Sequence, residues 1–177
     1  LNTGWIILFA KDNQEVYDFN IIGLKVAEKV KLPVIIAYDG FFTSHQKRNM
    51  KIFEDDNVVK NYVGEYKAEY TAIDVNNPIT IGSYMNEPDI INNKYQLRLA
   101  MEAAKEEITH QFESYYKLSG RNYNIINKYL SDDADVIFIV LGSAFDTARV
   151  AVDNMRKKGL KVGTITLRAL RPFFNKE

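Results

Sequence analysis

Within seven residues, Asp39-Gly40-Phe41-Phe42-Thr43-Ser44-His45 gathers a carboxylate, two hydroxyls and one of the chain's two histidines. A histidine titrates near neutrality and can serve as a general base. His45 has no carboxylate or serine partner at motif spacing, so a hydrogen-bonding or interface role is the alternative reading. Lys11-Asp12-Asn13-Gln14-Glu15 is the second candidate. Asp12 followed by Glu15 has the spacing of a capping box. A helix start there offers free amides and partial positive charge, and can present Asn13 or Gln14 to a ligand. Gly142-Ser143 follows a strand-like run and would suit a phosphate. The dinucleotide fingerprint needs three spaced glycines, however, and only one stands here, so a plain turn is the simpler reading. Arg168 and Arg171 suit an anion, a partner surface or salt bridges between units. The distance between His45 and His110 gives no metal signature.

These residues sit at the ends of recognisable elements. Trp5 to Ala10 reads as a buried strand, and Val16, Phe19, Gly23, Val26 and Val30 recur at helical spacing after it. Val34 to Tyr38, entered through Pro33, reads as a strand buried on both faces. Strand, helix, strand in about 35 residues is a βαβ unit with a parallel pair. Ligands gather at the carboxyl ends of such strands, which is where Asn13, Gln14 and Asp39 to His45 lie. Gly23 would cost about 1 kcal/mol in a free helix, so close approach to a sheet is expected there. Gln46 to Asp89 is polar and reads as a long connection, with a short helix over Val58 to Val63. Asn92 to Leu118 is the clearest helix, with Leu97, Met101, Ala104, Ile108, Phe112 and Tyr115 in one stripe and Gly120 as its stop. Asn122 to Leu130 reads as irregular or as a short turn of helix. A second unit follows: a strand from Val136 to Leu141, a helix facing a core with Thr147, Val150, Ala151, Val152 and Met155, and a strand from Val162 to Leu167. Arg168 to Phe173 then leaves the sheet.

The 177-residue chain is 46% hydrophobic and carries 23 basic and 23 acidic residues. That balance gives no sign of a nucleic-acid partner. Cysteine is absent, which excludes disulfides, a thiol nucleophile and a cysteine-ligated iron–sulfur cluster within this stretch. No apolar run approaches the roughly 20 residues of a membrane span, so no membrane partner is expected. The strand-like run so close to Leu1 leads us to expect a piece of a longer polypeptide.

Seven segments, in order, carry a family resemblance. They are Gly4-Trp5-Ile6, Asp12 to Asp18, Asp39 to His45, Asn77-Pro78-Ile79-Thr80-Ile81-Gly82, Ser119-Gly120-Arg121-Asn122-Tyr123, Asp135 to Ser143 with Thr147, and Arg168-Ala169-Leu170-Arg171-Pro172-Phe173. Together they resemble the alpha subunit of pyruvate:ferredoxin oxidoreductase, over essentially the whole chain. The Asp-Gly-Phe-x-x-Ser-His form is more like the pyruvate and branched-chain 2-oxoacid members than the 2-oxoglutarate members.

The resemblance implies an α/β fold. Residues 1–45 would be the end of a thiamine-diphosphate pyrimidine-binding domain with a parallel sheet. Residues 46–91 would connect it to 92–177, a linker helix and the start of a transketolase C-terminal-like domain. It implies a cytoplasmic enzyme that decarboxylates a 2-oxoacid and passes the acyl group to coenzyme A and electrons to ferredoxin. Thiamine diphosphate performs the hard step as an electron sink. Its diphosphate and Mg²⁺ would be held largely by other domains or subunits. Iron–sulfur clusters would sit on beta, gamma and delta subunits or equivalent fused domains. The family's activating glutamate, and the threonine and arginine that grip the 2-oxoacid, match nothing here and are expected upstream of Leu1. No catalytic residue or metal ligand is therefore assigned in this stretch. The residues expected near the cofactor, as pocket or interface, are Asn13, Gln14, Asp39, Phe41, Ser44 and His45. A non-catalytic binding or assembly module, holding a partner with Gln46 to Asp89, is the alternative.

Overall fold

The computed structural model describes residues 3–69, 71–79, 82 and 84–175. Thr80 and Ile81, within the segment that carried part of the resemblance, lie outside the described residues. The expected βαβ unit is present. Strand β1 (Ile6–Phe9) leads into helix α1 (Asn13–Val30) and then strand β2 (Val34–Ala37). β1 and β2 pair in parallel, with Ile6 opposite Val34 and Phe9 opposite Ala37. Asp12 caps α1 by accepting the Glu15 N–H at 2.9 Å. Gly23 lets the helix lie on the sheet: a Cβ there would stand 3.0 Å from Ile36 Cδ1 and 3.2 Å from Val34 Cγ1.

Several expectations need correction. The sheet is mixed, not parallel. Strand β6 (Ala169–Arg171) returns from the far end of the chain to pair antiparallel with β1, giving the order β2-β1-β6. Arg168 to Phe173 therefore does not simply leave the second sheet. β2 is an edge strand with Ile35 exposed, not a strand buried on both faces. Residues assigned to an irregular stretch form strand β3 (Ile126–Tyr129), antiparallel to β5 (Val162–Leu167), which also pairs in parallel with β4 (Val136–Val140). Ile-Asn-Lys-Tyr has little apolar alternation, and its pairing comes from the neighbouring strand rather than from its own pattern.

The short helix α2 (Asp56–Val63) and the long helix α3 (Asp89–Ser119) complete the first layer. α3 buries Met101, Ala104, Ile108, Phe112 and Tyr115 as expected, with Gln111 beside them, and ends at Gly120 in the left-handed conformation. Phe112 stacks on Phe19 of α1 at 5.6 Å between centroids, and Tyr123 meets the same ring edge-on at 5.3 Å. Helix α4 (Ala144–Arg156) packs on β5 through a different face from the one expected. It buries Phe145 and Val152, while Thr147, Val150 and Ala151 are exposed and Met155 is half-buried. The buried pair is spaced by seven, two full turns, so the buried stripe is narrower than the apolar content of the helix.

Candidate functional site

The carboxyl ends of β1 and β2 turn out next to each other, and residues 39–45 close the gap as a compact turn. Ser44 N–H donates to Asp39 O at 3.3 Å, and His45 N–H donates to Phe41 O at 3.1 Å. Ser44 Oγ accepts the Phe41 N–H at 2.9 Å and lies 2.7 Å from His45 Nδ1. The His45 ring stacks on Phe41, with centroids 5.6 Å apart. Phe41 holds a φ of +64°, a region that bulky side chains rarely occupy. These bonds fix that conformation and leave the Phe41 and Phe42 rings exposed.

Below the turn lies a cavity of about 330 Å³, lined by Asn13, Val16, Tyr17, Tyr38, Thr43, Ser44 and Met50. Met50 belongs to the segment 46–53, which is laced to α1 by side chains. Asn13 Nδ2 donates to Gln46 O at 3.3 Å. Gln14 makes a two-way clasp on Lys51, accepting its N–H at 2.7 Å and donating to its carbonyl at 2.9 Å. Tyr17 Oη accepts the Phe53 N–H at 3.2 Å. Two buried polar atoms here have no partner, Asn13 Oδ1 and Thr43 Oγ1.

Behind the cavity a set of charged contacts joins the two sheets. Asp39 does not face the cavity; its carboxylate accepts the Ser143 N–H and so caps the start of α4. Gly142 makes this approach feasible, because a Cβ there would collide with the Asp39 carboxylate. The turn amide is thus occupied by a carboxylate, which favours the plain-turn reading of Gly142-Ser143. Lys11 bridges Asp12 at 2.6 Å and Asp146 of α4 at 3.5 Å. Burial alone pulls the Lys11 ammonium down, but Asp12, Glu15 and Asp146 outweigh it and hold it above the ordinary lysine value. Asp12 is likewise pushed up by burial, yet its bonds from Lys11 and the Glu15 amide leave it below the usual range. Glu15 accepts the Lys11 N–H at 3.0 Å and bonds the buried Arg168 guanidinium at 2.8 Å. Burial pushes Glu15 up, and Arg168 only partly offsets this.

Asp18, one helical turn along, is fully buried. It accepts from Tyr115 Oη at 2.7 Å, from Arg121 Nε at 2.7 Å and Nη2 at 2.9 Å, from Gln14 Nε2 at 3.2 Å and from Tyr123 Oη. Charge-assisted bonds of this kind are the strong ones. They tie α1, α3 and the Arg121–Tyr123 link into one unit that supports the clasping residue Gln14.

Of the six residues expected near a ligand, Asn13 and Ser44 line the cavity and Gln14 holds the segment that contains Met50. Asp39 turns to the second sheet, while Phe41 and His45 lie on the exposed outer side of the turn. Sequence reasoning missed Thr43, Tyr17, Tyr38 and Met50 as lining residues, and Asp18 as the hub. Asp18, Arg121 and Tyr123 stood inside segments carrying the resemblance, so the signal was present there; Met50 carried none. His110 is exposed. Arg168 forms a salt bridge, one of the three readings given for it.

A parallel βαβ unit with a cavity at its strand ends is an α/β architecture in which ligands commonly bind at this position. Comparison with known proteins makes this specific. Residues 1–113 match the family described as pyruvate flavodoxin/ferredoxin oxidoreductase, thiamine diphosphate-binding, and residues 134–177 match pyruvate:ferredoxin oxidoreductase core domain II. The chain belongs to the pyruvate flavodoxin/ferredoxin oxidoreductase family. It is 37% identical over 174 residues to pyruvate synthase subunit PorA of Pyrococcus furiosus, covering 97% of this chain and 44% of that one. It is 34% identical over 177 residues to ketoisovalerate oxidoreductase subunit VorA of Pyrococcus abyssi, covering 99% and 45%. A solved 2-oxoglutarate:ferredoxin oxidoreductase from Magnetococcus marinus, with 2-oxoglutarate, coenzyme A and succinyl-CoA bound, shares the fold. That match has a TM-score of 0.54 and 19% identity, covering 95% of this chain and 31% of that one. The chain thus spans less than half the length of these relatives.

The residues present fit part of thiamine diphosphate. The cavity offers neutral hydrogen-bonding atoms between tyrosine and apolar walls, as an uncharged ring requires. Its lining contains no cation for a diphosphate. Among the described residues no cluster of three carboxylates or histidines could hold a metal. No helix among the described residues is long and apolar enough to cross a membrane.

Proposed function

We propose that this chain is part of the alpha subunit of a 2-oxoacid:ferredoxin oxidoreductase. That enzyme oxidatively decarboxylates pyruvate, or a branched-chain 2-oxoacid, to acyl-CoA and CO₂. The observation that carries the reading is the succession of two family matches along the chain, residues 1–113 and then 134–177. The pyruvate and ketoisovalerate relatives favour these two substrates. Thiamine diphosphate, when bound, supplies the electron sink for decarboxylation.

This chain's own residues do positional work. Asn13, Thr43 and Ser44 bound one side of the cofactor pocket, Gln14 holds segment 46–53 beside it, and Phe41 and His45 form a contact surface for a neighbouring subunit or domain. Asp39 sets the second sheet against the first through the start of α4. The division we propose is 1–45 for the pyrimidine-binding part, 46–91 for the connection, and 92–177 for the linker helix and a transketolase C-terminal-like part. Diphosphate, Mg²⁺ and the iron–sulfur clusters belong to partner beta, gamma and delta subunits or fused domains, in a cytoplasmic assembly.

The test is purification of the native assembly. The expected preparation is brown and multi-subunit, and it reduces ferredoxin with pyruvate and coenzyme A in a thiamine-diphosphate-dependent manner. A colourless lone chain without that activity refutes the reading.

A further inference from the structure

Of the two arginines suited to an anion, Arg168 is engaged by Glu15 and Arg171 is not. Ile7 pairs with Arg171 and Leu8 with Ala169, so β6 runs toward the amino end of β1. Arg171 therefore sits at the end of the sheet opposite the turn 39–45. There it lines a cleft of about 450 Å³ with Lys94, Leu97, Arg98, Met101 and Glu102 of α3. Gly4 packs against Leu97, where a Cβ would collide, and so fixes part of the floor.

Three cations from two elements thus converge on one space. Lys94 and Arg98 stand one helical turn apart on α3, a spacing at which like charges repel. None of the three makes an ion pair or a side-chain hydrogen bond among the described residues. The carboxylate in the lining, Glu102, is bonded by Lys105 at 2.8 Å. That bond is the main reason its carboxyl is held below the usual range, and Arg98 adds less. Three cations against one carboxylate leave two positive charges in the cleft, within a chain whose charges balance. The complement of such a field is a dianion. The planar fork of arginine matches the oxygens of phosphate and carboxylate groups. A nucleic acid would call for a basic stripe and not for one cleft. The volume falls in the range of roughly 300–1,000 Å³ typical of small-molecule sites. Leu97 and Met101 supply an apolar floor for a short carbon skeleton.

We propose that the cleft between α3 and β6 binds a small organic dianion, a phosphate monoester or a dicarboxylate, through Lys94, Arg98 and Arg171, with its carbon part over Leu97 and Met101. The site lies away from the strand ends that carry the proposed cofactor pocket, and it stands independently of the proposed function.

The test uses the native assembly, with propyl phosphate, glutarate and butyrate as calorimetric probes at low ionic strength. At least one dianion is expected to bind, and the tighter of the two identifies the class. Its affinity should fall about tenfold in Arg98→Gln and about tenfold in Lys94→Gln, each the loss of one charge-assisted contact. Lys94→Arg, which keeps the charge, should bind within about threefold of the parent. Butyrate lacks the second charge and should bind at least about tenfold more weakly than the better dianion. Lys94 and Arg98 are exposed, so the ligand-free variants should melt no lower than the parent. A lower melting temperature in both Gln variants would show that the cations are already paired within the assembly and would overturn the inference. So would the absence of binding by either dianion, binding indifferent to both Gln substitutions, or butyrate binding as tightly as the dianions.

Discussion

Replacing Arg168 by methionine should loosen the start of α1 and the β1–β6 pairing together. Arg168 is 6% exposed and Glu15 is 2% exposed, so the 2.8 Å pair between them is scarcely screened by solvent. The substitution keeps most of the side-chain volume but strands the Glu15 carboxylate in the interior. Breaking a buried pair from one side costs about 3–5 kcal/mol. The backbone at this point also joins the sheets. Phe9 N–H donates to Arg168 O, and Arg168 N–H donates to Ile125 O, both at 2.8 Å. Local opening should therefore show in amide exchange of residues 5–18. At 1.4 kcal/mol per factor of ten, exchange there should accelerate by about 10²- to 4 × 10³-fold. The effect has a pH sign. Glu15 already sits above the ordinary carboxyl value, so its contribution is complete at low pH and declines as pH rises through its folded pKa. Losing Arg168 raises it further, so the gap between variant and parent should widen from acid toward neutral pH. Glu15→Gln combined with Arg168→Met should recover much of the loss, because no charge is then left buried. Hydrogen–deuterium exchange of the native assembly at two pH values measures all of this. Exchange within twofold of the parent, or an acceleration insensitive to pH, would refute the reasoning.

Gly142→Ala should destabilise by about 1–3 kcal/mol, read as a lower melting temperature, because its φ is +59° and the new methyl would collide with Asp39. Tyr115→Phe removes the 2.7 Å bond to Asp18 and should cost about 1.5–3 kcal/mol in a denaturant titration. Tyr62, Tyr115 and Tyr123 are held well above the ordinary tyrosine value, chiefly by burial. Their contribution to stability is full below about pH 10 and falls as pH climbs past it, so the melting temperature should drop there as phenolate absorbance grows. Gln14→Ala should release segment 46–53, seen as faster tryptic cleavage at Lys47, Arg48 and Lys51; unchanged cleavage would show that the clasp is not what holds it.

The βαβ unit was legible because its signals agree: an apolar run, a capping box, a helical stripe and a second apolar run within 35 residues. The long helix was legible from its stripe and its terminal glycine. β3 and β6 were not, since short strands take their pairing from residues far away in sequence. The cavity was legible as a place but not as a set of residues. Asn13 and Ser44 were found because they stand at strand ends. Thr43 was passed over because nothing in a sequence says which of two adjacent hydroxyls turns inward. The contact of Asp39 with α4 was not legible, because its partner, the Ser143 amide, lies 104 residues away and belongs to no side chain.

The return of β6 to β1 also sets an order of events during synthesis. Ile7 pairs with Arg171, so β1 cannot gain this neighbour until more than 160 further residues have been made. At about 5–20 residues per second that interval is roughly 10–30 s. Throughout it the side of β1 that β6 comes to occupy is without that partner strand. An unpaired edge of this kind invites pairing with other chains. A nascent polypeptide built this way should engage chaperones early and let them go only when its Arg-Ala-Leu-Arg segment has left the ribosome.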